Sequence, residues 1–128
     1  HFKVFLYKVD FPTRSQMVRH RVNWQELSRR YVSGKRVPFE FYISEKLQNN
    51  PKVEALIKQS EELYFELLEN GVKPQEARRI IPQAGYSQIW GAFQPTQYEN
   101  FMKLRDDEVH AQWEIAQVAK AMRELVNE

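Results

Sequence analysis

Between Arg14 and Arg36 the chain carries seven Lys or Arg residues and a single acid, Glu26. Arg19-His20-Arg21, the run VNWQEL and Ser28-Arg29-Arg30-Tyr31 follow one another inside that stretch. The segment is too polar for a core and too rich in arginine for an ordinary turn. Guanidinium forks match phosphate oxygens in bidentate geometry, so the composition points to a built anion site. A nucleotide phosphate, a cofactor pyrophosphate and a nucleic-acid backbone would each satisfy it. The Ser28 hydroxyl and neighbouring backbone amides would cradle a phosphate while Arg30 neutralises it, leaving Glu26 to accept from a sugar or amide donor.

Other chemistries are narrowed by what the chain contains. It has no cysteine, which removes disulfides, thiolate metal sites and sulfur nucleophiles. His, Asp and Glu show no metal-ligand spacing, and His110 reads as structural. Trp24, Trp90 and Trp113 read as packing or interface residues. A nucleic-acid-binding module using the Arg14 to Arg36 surface is the rival from another class. Against it, the rest of the chain is neutral to acidic, with Glu61, Glu62, Glu66 and Glu69 along one segment, and aromatics do not interleave with the cations.

These residues need a scaffold, and 128 residues with 42% apolar and 13% aromatic content suffice for one domain spanning 1–128. No apolar run reaches membrane-spanning length and no signal-peptide pattern opens the chain, so a cytoplasmic protein without a membrane partner is expected. The chain begins with His1, in the middle of a strand pattern, so an upstream segment is expected to be missing. HFKVFLYKVD alternates with period two and predicts a strand. Asp10 and Pro12 predict a short helix from Thr13 to about His20. FEFYI, from Phe39 to Ile43, predicts a second strand. Asn49, Asn50 and Pro51 open a helix whose Val53, Leu56, Ile57, Tyr64, Leu67 and Leu68 recur at helical spacing until Gly71. Pro74 starts a short helix through Ile80, Tyr86 to Phe93 predicts a strand, and Pro95 to Leu104 and Val109 to about Val126 predict helices. Ile115, Val118, Ala119, Met122 and Leu125 mark the last helix's expected buried stripe. The fold class is α+β, with a small mixed sheet and long helices.

RHRVNWQELSRRY closely resembles the signature of flavin-dependent thymidylate synthases, in which Arg-His-Arg is followed by an Asn-Glu-x-Ser element and Arg-Tyr. Gln25 stands in place of that asparagine. Further segments resemble the family in the same order: HFKVFLY, Gln16 before the triplet, EFYI, EARRIIP and NFMKLRDDEVHAQWEI. The resemblance runs from His1 to about Ala119 and implies the family's fold without its usual N-terminal segment. Further departures are a six-residue spacer between Arg21 and Ser28 where the family usually has seven, one extra residue between Arg105 and Ala111, Arg29 at a glycine position and Thr96 in place of an arginine.

Carried over by position, the resemblance implies that Arg19, His20 and Arg21 hold FAD, with Glu26 and Asn100 on the flavin side and Gln94 replacing an asparagine. It implies that Gln16, Arg19, Glu26, Leu27, Ser28, Arg29, Arg30, Arg78 and Arg105 bind dUMP. The phosphate would rest on the Ser28 to Arg30 turn and on Arg78, and Arg105 would contact the uracil as the catalytic residue. The implied reaction methylates dUMP to dTMP, with methylene-tetrahydrofolate and NADPH as co-substrates, in a homotetramer with shared active sites. Activating carbon 5 of uracil needs either covalent addition at carbon 6, normally by cysteine, or stabilisation of negative charge on the pyrimidine carbonyls. Without cysteine the second route remains, and a permanently charged guanidinium such as Arg105 can supply it. Nearer alternatives keep the fold and make the enzyme a pyrimidine nucleotide hydroxymethylase or another nucleotide-modifying flavoenzyme, or make the chain a truncated inactive subunit that still assembles.

Overall fold

The computed structural model describes residues 3–29, 33–36, 38–107 and 109–127. His1, Arg30 and Tyr31, all singled out in the sequence, lie outside the described residues. Strand β1 (Lys3–Asp10) buries Phe5, Tyr7 and Val9 and turns Val4, Leu6 and Lys8 outward, as its alternation requires. Asp10 then caps helix α1 (Phe11–Met17), its carboxylate accepting from the Thr13 amide at 3.3 Å with Pro12 in the first turn. The short strand β2 (Asn23–Glu26) follows α1, and the chain reaches helix α2 (Pro51–Glu69) through a 3-10 turn at Glu45–Leu47. Helix α3 (Pro74–Ala77) runs into a 3-10 turn at Arg78–Ile80, before strand β3 (Tyr86–Phe93), helix α4 (Pro95–Arg105) and helix α5 (Trp113–Val126).

The sheet has the order β1-β3-β2 and both pairings are antiparallel. The α+β class therefore holds among the described residues, but the expected mixed sheet is corrected to an antiparallel one. Its inner face joins α1, α4 and α5 around Met17, Ile89, Phe93, Phe101, Ile115, Ala119 and Met122. Edge-to-face contacts of Phe93 with Phe5, Trp24 and Phe101 tie all three strands to α4. Among the described residues no helix is long and apolar enough to cross a membrane.

Four sequence expectations change. Phe39 to Ile43 is not a strand. Pro38 precedes it, only Phe41 bridges to Gly85, and the aromatic side chains pack sideways, Phe39 on Tyr64 and Tyr42 beside Tyr86. The strand beside β3 is instead β2, whose polar NWQE leaves three of its four residues exposed. The last helix begins at Trp113 rather than Val109. Asp107 accepts from the Val109 and His110 amides at 3.0 and 3.2 Å and spends those residues in a turn. Leu125 is 61% exposed and leaves the expected stripe, while Ile115, Ala119 and Met122 are buried. Helix α2 stands as expected, capped by Asn50 and ended at Gly71, whose φ of 88° suits glycine. Its apolar face is less covered than its spacing implies: Tyr64 is fully buried, yet Leu56 is 62% exposed.

Candidate functional site

Two helix ends meet at the centre of the site. After α1 the chain turns through Met17 to His20, closed by the His20 amide donating to the Met17 carbonyl at 3.1 Å. Helix α4 ends opposite at Arg105. Arg105 Nε–H donates to His20 Nε2 at 2.9 Å, and its Nη2 donates to the Gln16 carbonyl at 3.3 Å. The His20 ring rests on Phe101 at 4.7 Å between centroids, and the Trp24 indole N–H donates to the His20 carbonyl at 3.1 Å. His20 is thereby fixed from three sides, with Nε2 as acceptor and the proton on Nδ1. Burial and then the Arg105 charge lower the pKa of His20, which agrees with that neutral tautomer.

Arg105 is half-buried and both of these partners are neutral. Burial and then the charge of Arg19 push its guanidinium below the ordinary arginine value. It remains protonated, since arginine starts above about 12. Two guanidinium groups in mutual repulsion, one of them held by neutral groups, form a place where an anion lowers the energy of both.

Gln16, in the last turn of α1, reaches across to Gln112 in a side-chain hydrogen bond, which ties α1 to the start of α5. Glu26, at the end of β2, is held by a fork from Arg14, with Nη2 at 2.9 Å, and by the Ser87 hydroxyl at 2.8 Å. Its two oxygens are thus oriented by β3 and α1 together. Leu27 continues the edge, its amide donating to the Gln88 carbonyl at 2.9 Å, and Ser28 follows directly. A cleft of about 40 Å³ opens beside this turn between Leu27, Arg29 and Pro38 on one side and Ser87 and Gln88 on the other.

Gln16, Arg19, His20 and Arg105 therefore come together, with Glu26 on the adjoining strand end. Arg21, Asn100 and Gln94 are exposed, Gln94 capping α4 with its amide donating to Gln97 at 2.8 Å. The Arg29 side chain turns to Phe39 and the Pro38 carbonyl. Arg78 sits on the unit formed by α2 and α3, where its Nε donates to the Gln75 carbonyl at 3.1 Å. Among the described residues no hydrogen bond, ion pair or ring contact joins Arg78 to the Arg105 cluster. Arg14, Trp24, Phe101 and Gln112 orient the cluster and were not among the expected site residues. An arginine twelve positions from Glu26 and a glutamine far beyond Gln16 leave no periodic signal.

The chain's relatives agree with the resemblance. A family model described as thymidylate synthase complementing protein matches residues 1–128. The chain belongs to that family. It is 34% identical over 140 residues to a flavin-dependent thymidylate synthase of Thermotoga neapolitana, covering 98% of this chain and 62% of that protein. The flavin-dependent thymidylate synthase of Thermosipho africanus is 32% identical over 149 residues, with 98% and 64% covered. That of Aquifex aeolicus is 29% identical over 144 residues, with 98% and 45% covered. The chain thus spans less than two thirds of the length of these curated relatives.

Proposed function

We propose that this chain carries the nucleotide and flavin site of a flavin-dependent thymidylate synthase that methylates dUMP to dTMP. The observation that carries the reading is Arg105: a half-buried cation whose partners are His20 and a carbonyl, with the charge of Arg19 near enough to repel it. A uracil carrying negative charge on its carbonyl oxygens would relieve that repulsion. The fixed guanidinium would stabilise that charge and so make carbon 5 nucleophilic without covalent addition. The neutral His20 holds the fork in place and offers it no competing negative charge.

Gln16 and Glu26 would orient the pyrimidine and the ribose through amide and carboxylate hydrogen bonds, and the backbone at Leu27 to Arg29 would take the phosphate together with the Arg30 and Arg78 charges. The donor set fits a flavin dinucleotide as well, because Arg19 and Arg21 are exposed cations on either side of His20, and Asn100 and Gln94 are exposed polar groups on α4 and at its start. Bound reduced FAD would supply the hydride that completes the methyl group, with methylene-tetrahydrofolate as carbon donor and NADPH as reductant.

A cleft of about 40 Å³ is far below the roughly 300 Å³ at which ligand pockets begin. This cleft alone would not bury a nucleotide, and a homotetramer in which a second copy shares the site would complete it. The outward sheet face supports it too: Val4, Leu6 and Trp90 are 60%, 55% and 52% exposed, with Leu6 and Trp90 directly opposed. Incubation of the full-length protein with dUMP, methylene-tetrahydrofolate, FAD and NADPH, followed by product mass, tests the reading. A gain of one methyl group is expected. A hydroxymethyl product moves the reaction to the nearer alternative, and unchanged dUMP with every co-substrate present refutes both.

A further inference from the structure

Arg29, Phe39 and Tyr64 form a stack of three side chains. The Arg29 guanidinium carbon lies 4.4 Å from the Phe39 ring centroid, and its Nη2 donates to the Pro38 carbonyl at 3.3 Å. Phe39 meets Tyr64 edge to face, with centroids 4.8 Å apart and planes at 87°. Tyr64 is fully buried on α2 and so stands as a fixed post. The Tyr64 hydroxyl also accepts from the Gly34 amide at 3.0 Å. Gly34 is pressed so closely to the stack that a Cβ there would come within 2.6 Å of Phe39. On the other side of Ser28, Leu27 is hydrogen-bonded to β3 through the Gln88 carbonyl at 2.9 Å. Ser28 thus sits between two anchors, one on the sheet and one on α2.

We propose that Arg29 is a positioning residue: seated on Phe39 and bonded to Pro38, it ties the backbone beside Ser28 to the Phe39–Tyr64 pair on α2 and so holds Ser28 in place for an anionic substrate group. This rests on the nucleotide reading above for the identity of that group. The guanidinium suits the task because it stacks flat on an aromatic ring while its N–H groups reach a carbonyl. With its side chain drawn to Phe39, Arg29 leaves the phosphate to the local backbone amides and the neighbouring residues. Lysine, a point charge on a flexible stem, would hold Ser28 less well.

Lys35 and Arg36 are exposed directly after Gly34, which is bonded to Tyr64, and provide a readout of the release of that anchor. Tryptic cleavage after them, followed by fragment mass, is to be compared in wild type, Arg29→Ala, Phe39→Leu and the double variant. Fractions are to be matched for thermal unfolding, and the dUMP dissociation constant and the KM and kcat for dUMP measured on the same samples. Loss of the stack is expected to speed cleavage and weaken dUMP binding by about fivefold in either single variant. The change should fall on KM more than on kcat, and the double variant should add little, because both residues act through one contact. Unchanged cleavage in Arg29→Ala overturns the tie to α2. Additive losses of dUMP affinity, or a loss in Arg29→Ala with none in Phe39→Leu, overturn it in favour of direct contact with the ligand. Faster cleavage with unaltered dUMP affinity overturns the positioning role while leaving the nucleotide site intact. If wild-type protein binds no dUMP, the function proposed above falls, and the tie to α2 is judged on cleavage alone, which both single variants must still accelerate.

Discussion

Replacing Arg105 by Met removes a cation and two hydrogen bonds while keeping most of the apolar stem, so its effects can be worked out from the contacts. The bonds to His20 Nε2 and to the Gln16 carbonyl, at 2.9 and 3.3 Å, come from a charged donor at a partly buried position. A hydrogen bond to a charged group contributes roughly 1.5–3 kcal/mol, less where solvent competes, and the second bond is long. Loss of the repulsion from Arg19 returns part of that. The net destabilisation should be about 2 kcal/mol, or a fall in Tm of roughly 6–10 °C for a domain of this size. A second readout is independent of stability. Burial is the larger cause of the lowered His20 pKa and the Arg105 charge the next. Arg105→Met should therefore raise that pKa part of the way toward 6.5, the ordinary histidine value, while Arg105→Lys, which keeps a charge there, should raise it less. Proton NMR titration of the histidine ring signals, assigned with a His20→Gln variant, measures this. Identical His20 titration in wild type and Arg105→Met would refute the contact and the electrostatic reasoning built on it.

Acidification tests the same residue in the unaltered protein. His20 has a folded pKa below its unfolded value, so its stabilising contribution is complete above pH 6.5 and is lost as pH falls from there through the folded value. Tm should drop between pH 7 and about 5, and His20→Gln, which keeps an acceptor for Arg105, should flatten that slope. Gly91→Ala should destabilise by about 1–3 kcal/mol in urea unfolding, by overpacking. Its Cβ would lie 2.6 Å from Trp24 Cζ3, and the indole is held by its bond to His20. Glu26→Gln should change stability by less than about 1 kcal/mol, since the Arg14 pair is solvent-accessible. It should nonetheless weaken dUMP binding in calorimetry, because the carboxylate and its orientation by Ser87 are lost.

Where side-chain alternation or helical spacing is imposed by burial, the sequence is readable. β1 and β3 alternate because one face is packed, and α2 is bounded by a prolyl start and a glycine that accepts positive φ. β2 was not readable because it is a short edge strand with a polar sequence that resembles a loop, and among its four residues only Trp24 packs against the core. FEFYI failed in the opposite sense: its aromatics answer to Tyr64, Tyr86 and Glu114, distant in sequence, rather than to a neighbouring strand. In the site, the family resemblance named His20, Gln16 and Arg105, but not that Arg105 binds the other two. That contact spans 85 residues to His20 and 89 to Gln16. Nor does the sequence say that Arg29 faces a ring, since the choice between phosphate and phenyl depends on where the chain returns at Phe39.

Titrating the purified full-length protein with FAD, and then adding dUMP while following flavin absorbance, puts the Arg19 and Arg105 cluster to the test as an anion site. Saturable flavin uptake, a spectral change on dUMP addition, and loss of that change in Arg105→Met while the variant remains folded are the expected results. A wild-type protein that takes up no flavin and leaves dUMP unbound would contradict the assignment of these guanidinium groups to a nucleotide and its cofactor.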